Sequence, residues 1–471
     1  MNPEPEKFDI AVIGGGPGGY PAAIEAAQLG KKVVLIDEKG LGGTCLNRGC
    51  IPTKALIAGA RLFHSLNHVA DFGISVSDVR VDFAKMKERK DKIVSTMCKS
   101  VEGLINSNRI TIIKGFGKFI SEREIKVTGA TNTIIQAAKT IIATGSEPRS
   151  IGAFPFDYRY IHDSTSLLEI SELPKTLAII GGGIIGCEFA SLYNILGTKV
   201  TIFEMMPTLL PGESPEVSDF LAKAFMKRGI SIKTGAGVKE IKKEKEGVTV
   251  LLGNGESTFA DLSLVCTGRS LNTSGIGLDT IGVIVEENGI IRVNDKMETN
   301  IPGIYAVGDI ASTWWLAHVA SHQGMVAAKN ACGKEAHMHY DAIPSVIFTD
   351  PEIASVGLTL EKALEEGYHA KSGSFPFRAL GKAQATGETE GFAQIVIDTA
   401  TGQILGAQIV GSEAGILIAE AGIAVANELT LDCVIETIHA HPTMAEIWHE
   451  AALMVNDTPL HLPPKKKRTT G

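Results

Sequence analysis

Residues 8–19 read "FDIAVIGGGPGG". An apolar run ends in three glycines, Gly14, Gly16 and Gly19, at the spacing G-x-G-x-x-G. The same design returns at residues 177–186, "LAIIGGGIIG", with Gly181, Gly183 and Gly186. Each run then passes through a segment of small residues into a second strand, "KVVLID" or "KVTIFE", which ends in an acid. Gly14 to Asp37 and Gly181 to Glu204 are both 23 positions. One such fingerprint is weak; two with an acid at the same offset are strong. The glycines allow a tight turn and close approach of backbone to a pyrophosphate. The helix that follows offers unpaired N–H groups to the anion, and the acid accepts from ribose hydroxyls. The chain is therefore expected to hold two dinucleotides on two Rossmann-like units.

Further strands sort the rest of the chain. "TIIATGSEPR" (140–149) and "LVCTGRS" (264–270) each end in a Thr-Gly turn at matching places late in the two repeats. "IYAVGDI" (304–310) runs into Gly308-Asp309, and an acid at a strand's carboxyl end points into the ligand crevice of an α/β fold. Past about residue 340 the pattern changes to "FAQIVID" and "ILGAQIVG", then to an amphipathic helix around 413–427 and a short one around 431–437. That reads as an α+β domain.

Length and composition set outer bounds. At 471 residues the chain exceeds one ordinary core, and 44% hydrophobic with 21% charged residues is a globular composition. A net charge of −8 speaks against nucleic acid as a partner. No stretch is apolar enough to span a bilayer, since Glu420 interrupts "GILIAEAGIAVAN", and no leader pattern opens the chain. Seven cysteines spread over this length is cytoplasmic usage. The end, "PPKKKRTTG", is expected to be a frayed, solvated tail rather than an address.

"GGTCLNRGCIPTK" (42–54) holds Cys45 and Cys50 five positions apart. Two ligands do not make a zinc site, and no nearby His or Cys completes one, so no metal is expected. Two inert core thiols and a redox couple both remain open readings of the spacing alone. Gly42, Gly43 and Gly49 flank the pair, and Pro52 suits the first turn of a helix. Such a helix would lower a thiol pKa, and Lys54 would lie one turn beyond Cys50 on the same face. Cys98, Cys187, Cys266, Cys332 and Cys433 stand alone and read as packing residues.

Taken with the two fingerprints, "YAVGD" and "HAHPTMAE" (439–446), this segment resembles the flavin-dependent pyridine nucleotide–disulfide oxidoreductases from about residue 8 to 455. The resemblance implies two Rossmann-like dinucleotide-binding domains and an α+β C-terminal dimerisation domain. Residues 1–149 would bind FAD, 150–268 NAD, 269–340 would complete the FAD domain, and 341–471 would form the interface of a homodimer. Gly14, Gly16 and Gly19 would cradle the FAD pyrophosphate and Asp37 its ribose. Lys54, Gly145, Asp309, Ala317 and His318 would line FAD further along. Gly181, Gly183, Gly186 and Gly268 would serve NAD, with Glu188 at the nicotinamide end and Glu204 on the adenosine ribose.

Within the family the match is nearest to members that oxidise dihydrolipoamide. It implies a redox disulfide between Cys45 and Cys50, with His441 as base and Glu446 as its carboxylate partner; His439 reads as structural. It also implies lipoyl domains and the acyltransferase component of 2-oxo-acid dehydrogenase complexes as partners. A glutathione-reductase-like enzyme is the alternative, disfavoured because a 2′-phosphate would face Glu204 with no Lys or Arg before Lys223. A non-catalytic flavin-binding protein would have no use for Cys45, Cys50, His441 and Glu446 together.

Overall fold

The computed structural model describes residues 5–130 and 132–463. The basic tail from Pro464 on lies outside the described residues. Two compact units result. The first takes the chain up to Tyr158, then His162–Leu173 and Thr267–His339; the second takes Arg159–Ile161, Pro174–Cys266 and the chain from Tyr340 on.

In the first unit the strand Glu6–Ile13 lies between Val33–Asp37 and Thr133–Ile142, parallel to both. Val33–Asp37 pairs in parallel with Thr111–Ser121, which turns back through Glu124–Gly129 to Thr133–Ile142 as an antiparallel meander. Ile304–Ala306 joins the carboxyl end of Thr133–Ile142 in parallel. Ile10–Ile13 and Val33–Ile36 are buried throughout. Unbroken apolar runs are what a parallel sheet covered on both faces demands. The helix Gly19–Gln28 buries Ala22, Ala23 and Ala26 completely. Residues that small let the helix lie close to its neighbours, which include the helix Ala317–Ala331.

The second unit repeats this plan. Ser231–Lys233, Lys199–Phe203, Thr176–Ile180 and Leu262–Val265 run parallel in that order. An antiparallel meander, Val238–Glu244, Gly247–Leu252 and Ser257–Ala260, is inserted before the last of them. A five-stranded antiparallel sheet follows in the order Ser345–Ile347, Ile353–Gly357, Ile404–Val410, Phe392–Asp398, Ala370–Pro376. Its central strands are buried along their whole length. The helices Ala414–Ala426 and Glu446–Val455 share a core with it that includes Phe375, Leu417, Ile447 and Trp448. Trp448 Nε1 donates to Leu417 O at 3.0 Å and ties the two helices together. Among the described residues no helix is long and apolar enough to cross a membrane.

Candidate functional site

Each glycine loop is closed by contacts that only glycine permits. A Cβ at Gly19 would fall 1.8 Å from Gly14 O, and one at Gly186 1.9 Å from Gly181 O. The middle glycine is different. A Cβ at Gly16 would meet only Gly43 Cα, at 3.6 Å, and one at Gly183 would meet nothing within 4 Å. The protein's own packing leaves both places open, and neither helix start carries a side-chain cap. A pyrophosphate seated there would find the unpaired N–H groups and the space, so both loops fit a dinucleotide.

The two acids take a part that the sequence does not announce. Asp37 Oδ2 accepts from Gly15 N at 2.7 Å, and Oδ1 from Gly40 N. Glu204 Oε2 accepts from Gly182 N, and Oε1 from Met206 N at 2.7 Å. Each carboxylate thus braces the second glycine of its own loop. A carboxylate oxygen has a second lone pair, so the expected bond to a ribose hydroxyl remains available.

The cysteine loop docks on the first glycine loop. Gly42 N donates to Gly15 O at 2.8 Å, and a Cβ at Gly43 would lie 2.5 Å from Gly16 Cα. Cys45 sits within the short helix Gly43–Arg48, while Cys50 opens the helix Cys50–Leu66, with Gly49 breaking the path between them. Pro52 is buried in the first turn, as its missing N–H allows. Both cysteines carry thiols and are half-buried. A hydrogen bond with Cys50, and then burial, push the Cys45 thiol well above its ordinary value, against the pull of Lys54. The sequence leads one to expect a lowered thiol here. The Cys45 thiol is raised instead, through that hydrogen bond and its burial.

The expected flavin-end residues also belong to the first unit. Asp309 lies on the turn Gly308–Ile310, where Ser146 Oγ donates to its carboxylate; Arg269 Nε stands 3.9 Å from it and donates to Ser146 Oγ at 2.6 Å. Gly145 has a left-handed φ of +66° with open space at its Cα. Ala317 and the exposed His318 open the helix Ala317–Ala331. Gly268, expected on the NAD side, follows the strand Leu262–Val265 and falls in the first unit, where its carbonyl accepts from Arg149 N at 3.1 Å.

In the second unit Glu188 is 5% exposed and accepts from Phe348 N at 3.0 Å. His441 Nδ1 lies 2.8 Å from Glu446 Oε1, and Thr443 N donates to Glu446 Oε2 at 2.9 Å. Burial alone would raise the Glu446 carboxyl; the Thr443 N–H and the His441 ring hold it below its ordinary value. Nδ1 is thereby committed to the carboxylate, which leaves Nε2 of the 76% exposed ring as the atom that could take a proton. His439 is buried, between Thr437 O at 3.0 Å and Glu420 at 2.7 Å.

Several participants are not evident in the sequence. Asn47, inside the cysteine motif, donates to Leu41 O at 3.0 Å and Gly43 O at 2.9 Å and so pins the short helix. Its Oδ1 accepts from the Cys98 thiol at 3.2 Å, so Cys98 does more than fill space. Cys433 is exposed and is not a packing residue. Gln323 is buried and accepts from Gly308 N at 2.7 Å beside Asp309.

Comparison with known proteins places this geometry. Residues 8–324 match the pattern described as pyridine nucleotide-disulphide oxidoreductase, and 343–452 match that family's dimerisation domain. A dihydrolipoyl dehydrogenase of Chlamydia pneumoniae is 50% identical over 460 residues, 98% of this chain and 99% of that one. The mitochondrial dihydrolipoyl dehydrogenase of Pisum sativum is 41% identical over 466 residues, 97% of this chain and 93% of that one. The crystal structure of LpdA from Mycobacterium tuberculosis superposes with a TM-score of 0.90 at 27% identity, covering 95% of this chain and 99% of that one.

Proposed function

The chain belongs to the pyridine nucleotide-disulphide oxidoreductase family, and on that premise we propose its reaction: it oxidises protein-bound dihydrolipoamide to lipoamide with NAD as final acceptor, as a dihydrolipoyl dehydrogenase does. The observation that carries this is a thiol pair docked on one glycine loop of a chain that also bears a His–Glu couple at 2.8 Å. We assign residues 1–149 and 269–340 to FAD, 150–268 to NAD and 341–471 to a homodimer interface. The matched dimerisation domain supports the last of these.

The steps follow from where protons can rest. His441 Nε2 of one protomer takes a proton from the first thiol of dihydrolipoamide. The thiolate attacks Cys45 of the partner's Cys45–Cys50 disulfide, forming a mixed disulfide and releasing Cys50 as thiolate. The second substrate thiol closes the lipoamide ring; Cys45 leaves and keeps that thiol's proton, the form its hydrogen bond to Cys50 favours. Two electrons have passed from substrate to the pair, one proton rests on His441 and one on Cys45. FAD, when bound, supplies the means to move that electron pair on to NAD as hydride. Gly14, Gly16, Gly19 and Asp37 would hold it, with Lys54 and Asp309 further along. Gly181, Gly183, Gly186, Glu188 and Glu204 would hold NAD.

Lipoyl domains and the acyltransferase component of a 2-oxo-acid dehydrogenase complex are the proposed partners. The cytoplasm is the proposed compartment, where thiols that must cycle are kept from locking as disulfides. The test is an assay of the purified protein with dihydrolipoamide and NAD beside one with glutathione disulfide and NADPH. Turnover in the first and none in the second is expected, and the reverse would overturn the reading.

A further inference from the structure

The helix Glu446–Val455 carries two His–Glu couples, and the reaction above uses one. In the second, His461 Nδ1 lies 2.6 Å from Glu450 Oε1, and His461 N donates to Oε2 at 3.5 Å. Glu450 is 2% exposed, so this buried carboxylate turns both oxygens to residue 461. The His461 ring itself is in solvent, 67% exposed. Glu446 and Glu450 are four residues apart and leave the same face of the helix, one turn from each other. A charge on His461 therefore stands beside the Glu446–His441 couple.

We propose that His461, anchored by Glu450, is a positioning residue for the base: through Glu446 it biases the pH at which His441 is ready to accept a proton. The inference rests on the reading of His441 as base. The lowered Glu446 carboxyl, to which His461 contributes, agrees in sign. Other titratable groups stand on the elements packed around the couple. His439 is bonded to Glu420 of the helix Ala414–Ala426, and its ring centroid is 6.0 Å from that of His449. The helix Leu431–Glu436 brings Asp432 and Glu436. From the strands beneath, Lys371 is paired with Asp457 at 3.1 Å, and Asp398 accepts from Ala400 N and Thr401 in its own turn.

The sign is fixed by electrostatics. Protonated His461 stabilises the Glu446 carboxylate and resists a second positive charge on His441. Without it the couple keeps its proton to higher pH. In the full-length, FAD-loaded protein, His461→Gln is expected to move the acid limb of NADH formation upward. A shift of roughly half a pH unit is the order of one solvent-screened unit charge across a helical turn. Exchange of the His441 ring C2–H for deuterium, read by mass spectrometry across pH, follows the same couple without substrate. Its midpoint is expected to move by the same amount. His461→Asn removes the same charge with a shorter side chain and should move the midpoint by the same amount.

A midpoint that stays in place while the melting temperature falls would make His461 a structural anchor only and overturn the proposal; so would a downward shift. If the wild-type protein forms no NADH from dihydrolipoamide yet its His441 midpoint moves in the variants, the assigned reaction fails and the coupling stands.

Discussion

At the scale of single residues the chemistry depends on which atom keeps a proton. The Cys45 thiol is pushed up, first by its hydrogen bond with Cys50, so in the proposed reaction Cys45 keeps the second substrate thiol's proton and the first needs a base. His441→Gln is expected to slow dihydrolipoamide oxidation about 10²–10⁴-fold, the range of a lost general base. Steady-state rates at saturating substrate measure it. Glu446 adds a pH signature. Its folded carboxyl lies below the ordinary value, so its stabilising contribution is present above the unfolded pKa of about 4.3 and is lost as pH falls through the folded one. The melting temperature of Glu446→Gln should therefore lie below the wild type's at neutral pH, and the gap should close at pH values under about 4. A gap that persists in acid would show that the carboxylate's charge has no part in it.

At the scale of elements, each glycine loop separates two demands. Gly14 with Gly19, and Gly181 with Gly186, are needed by the fold; a Cβ at Gly183 would meet nothing, and one at Gly16 only Gly43 at ordinary contact distance. Gly183→Ala should leave thermal stability within about 0.5 kcal/mol, as for a substitution that touches nothing, while raising KM for NAD about tenfold. Calorimetry and initial rates check the two halves. A destabilised protein with unchanged KM would refute the assignment of that space to a ligand. Asn47 is the corresponding lever in the cysteine loop, because its two amide donations hold the short helix on which Cys45 rides. Asn47→Ala is expected to lower turnover on the order of 10²-fold, the cost of misplacing a reacting atom by about an ångström. Retention of FAD in that variant would separate a displaced sulfur from a collapsed site.

At the scale of the whole molecule, Cys45 with Cys50 and His441 with Glu446 lie in different units of the chain, and the proposed reaction joins them across two protomers. The expected mass in solution is twice 49.9 kDa. Co-expression of a Cys45→Ser chain with a His441→Gln chain gives a sharper check. Each inactive alone, the two in equal amounts should recover about a quarter of wild-type activity, since half the dimers are mixed and each has one intact site of two. No recovery would place cysteines and base in the same protomer.

What the sequence discloses follows from chain distance. The two fingerprints, the cysteine pair and His441 with Glu446 are short-range patterns, in which turn, helix start and side-chain pair lie within a few residues. The Ser146–Asp309–Arg269 cluster joins positions more than a hundred residues apart, and the Cys98–Asn47 bond crosses 51 positions. His461 meets Glu450 only because the chain folds back past the end of a helix. Packing makes those contacts, and no local pattern announces them. The bracing of Gly15 and Gly182 by Asp37 and Glu204 is equally silent, although the acids themselves are plain.

The most direct measurement is NADH formation, followed by absorbance, when the purified FAD-loaded protein meets dihydrolipoamide and NAD, with Cys45→Ser beside it. The account predicts turnover in the wild type and its loss in the variant while FAD stays bound. Turnover that survives the loss of Cys45, or none in a wild-type protein carrying FAD, would contradict it.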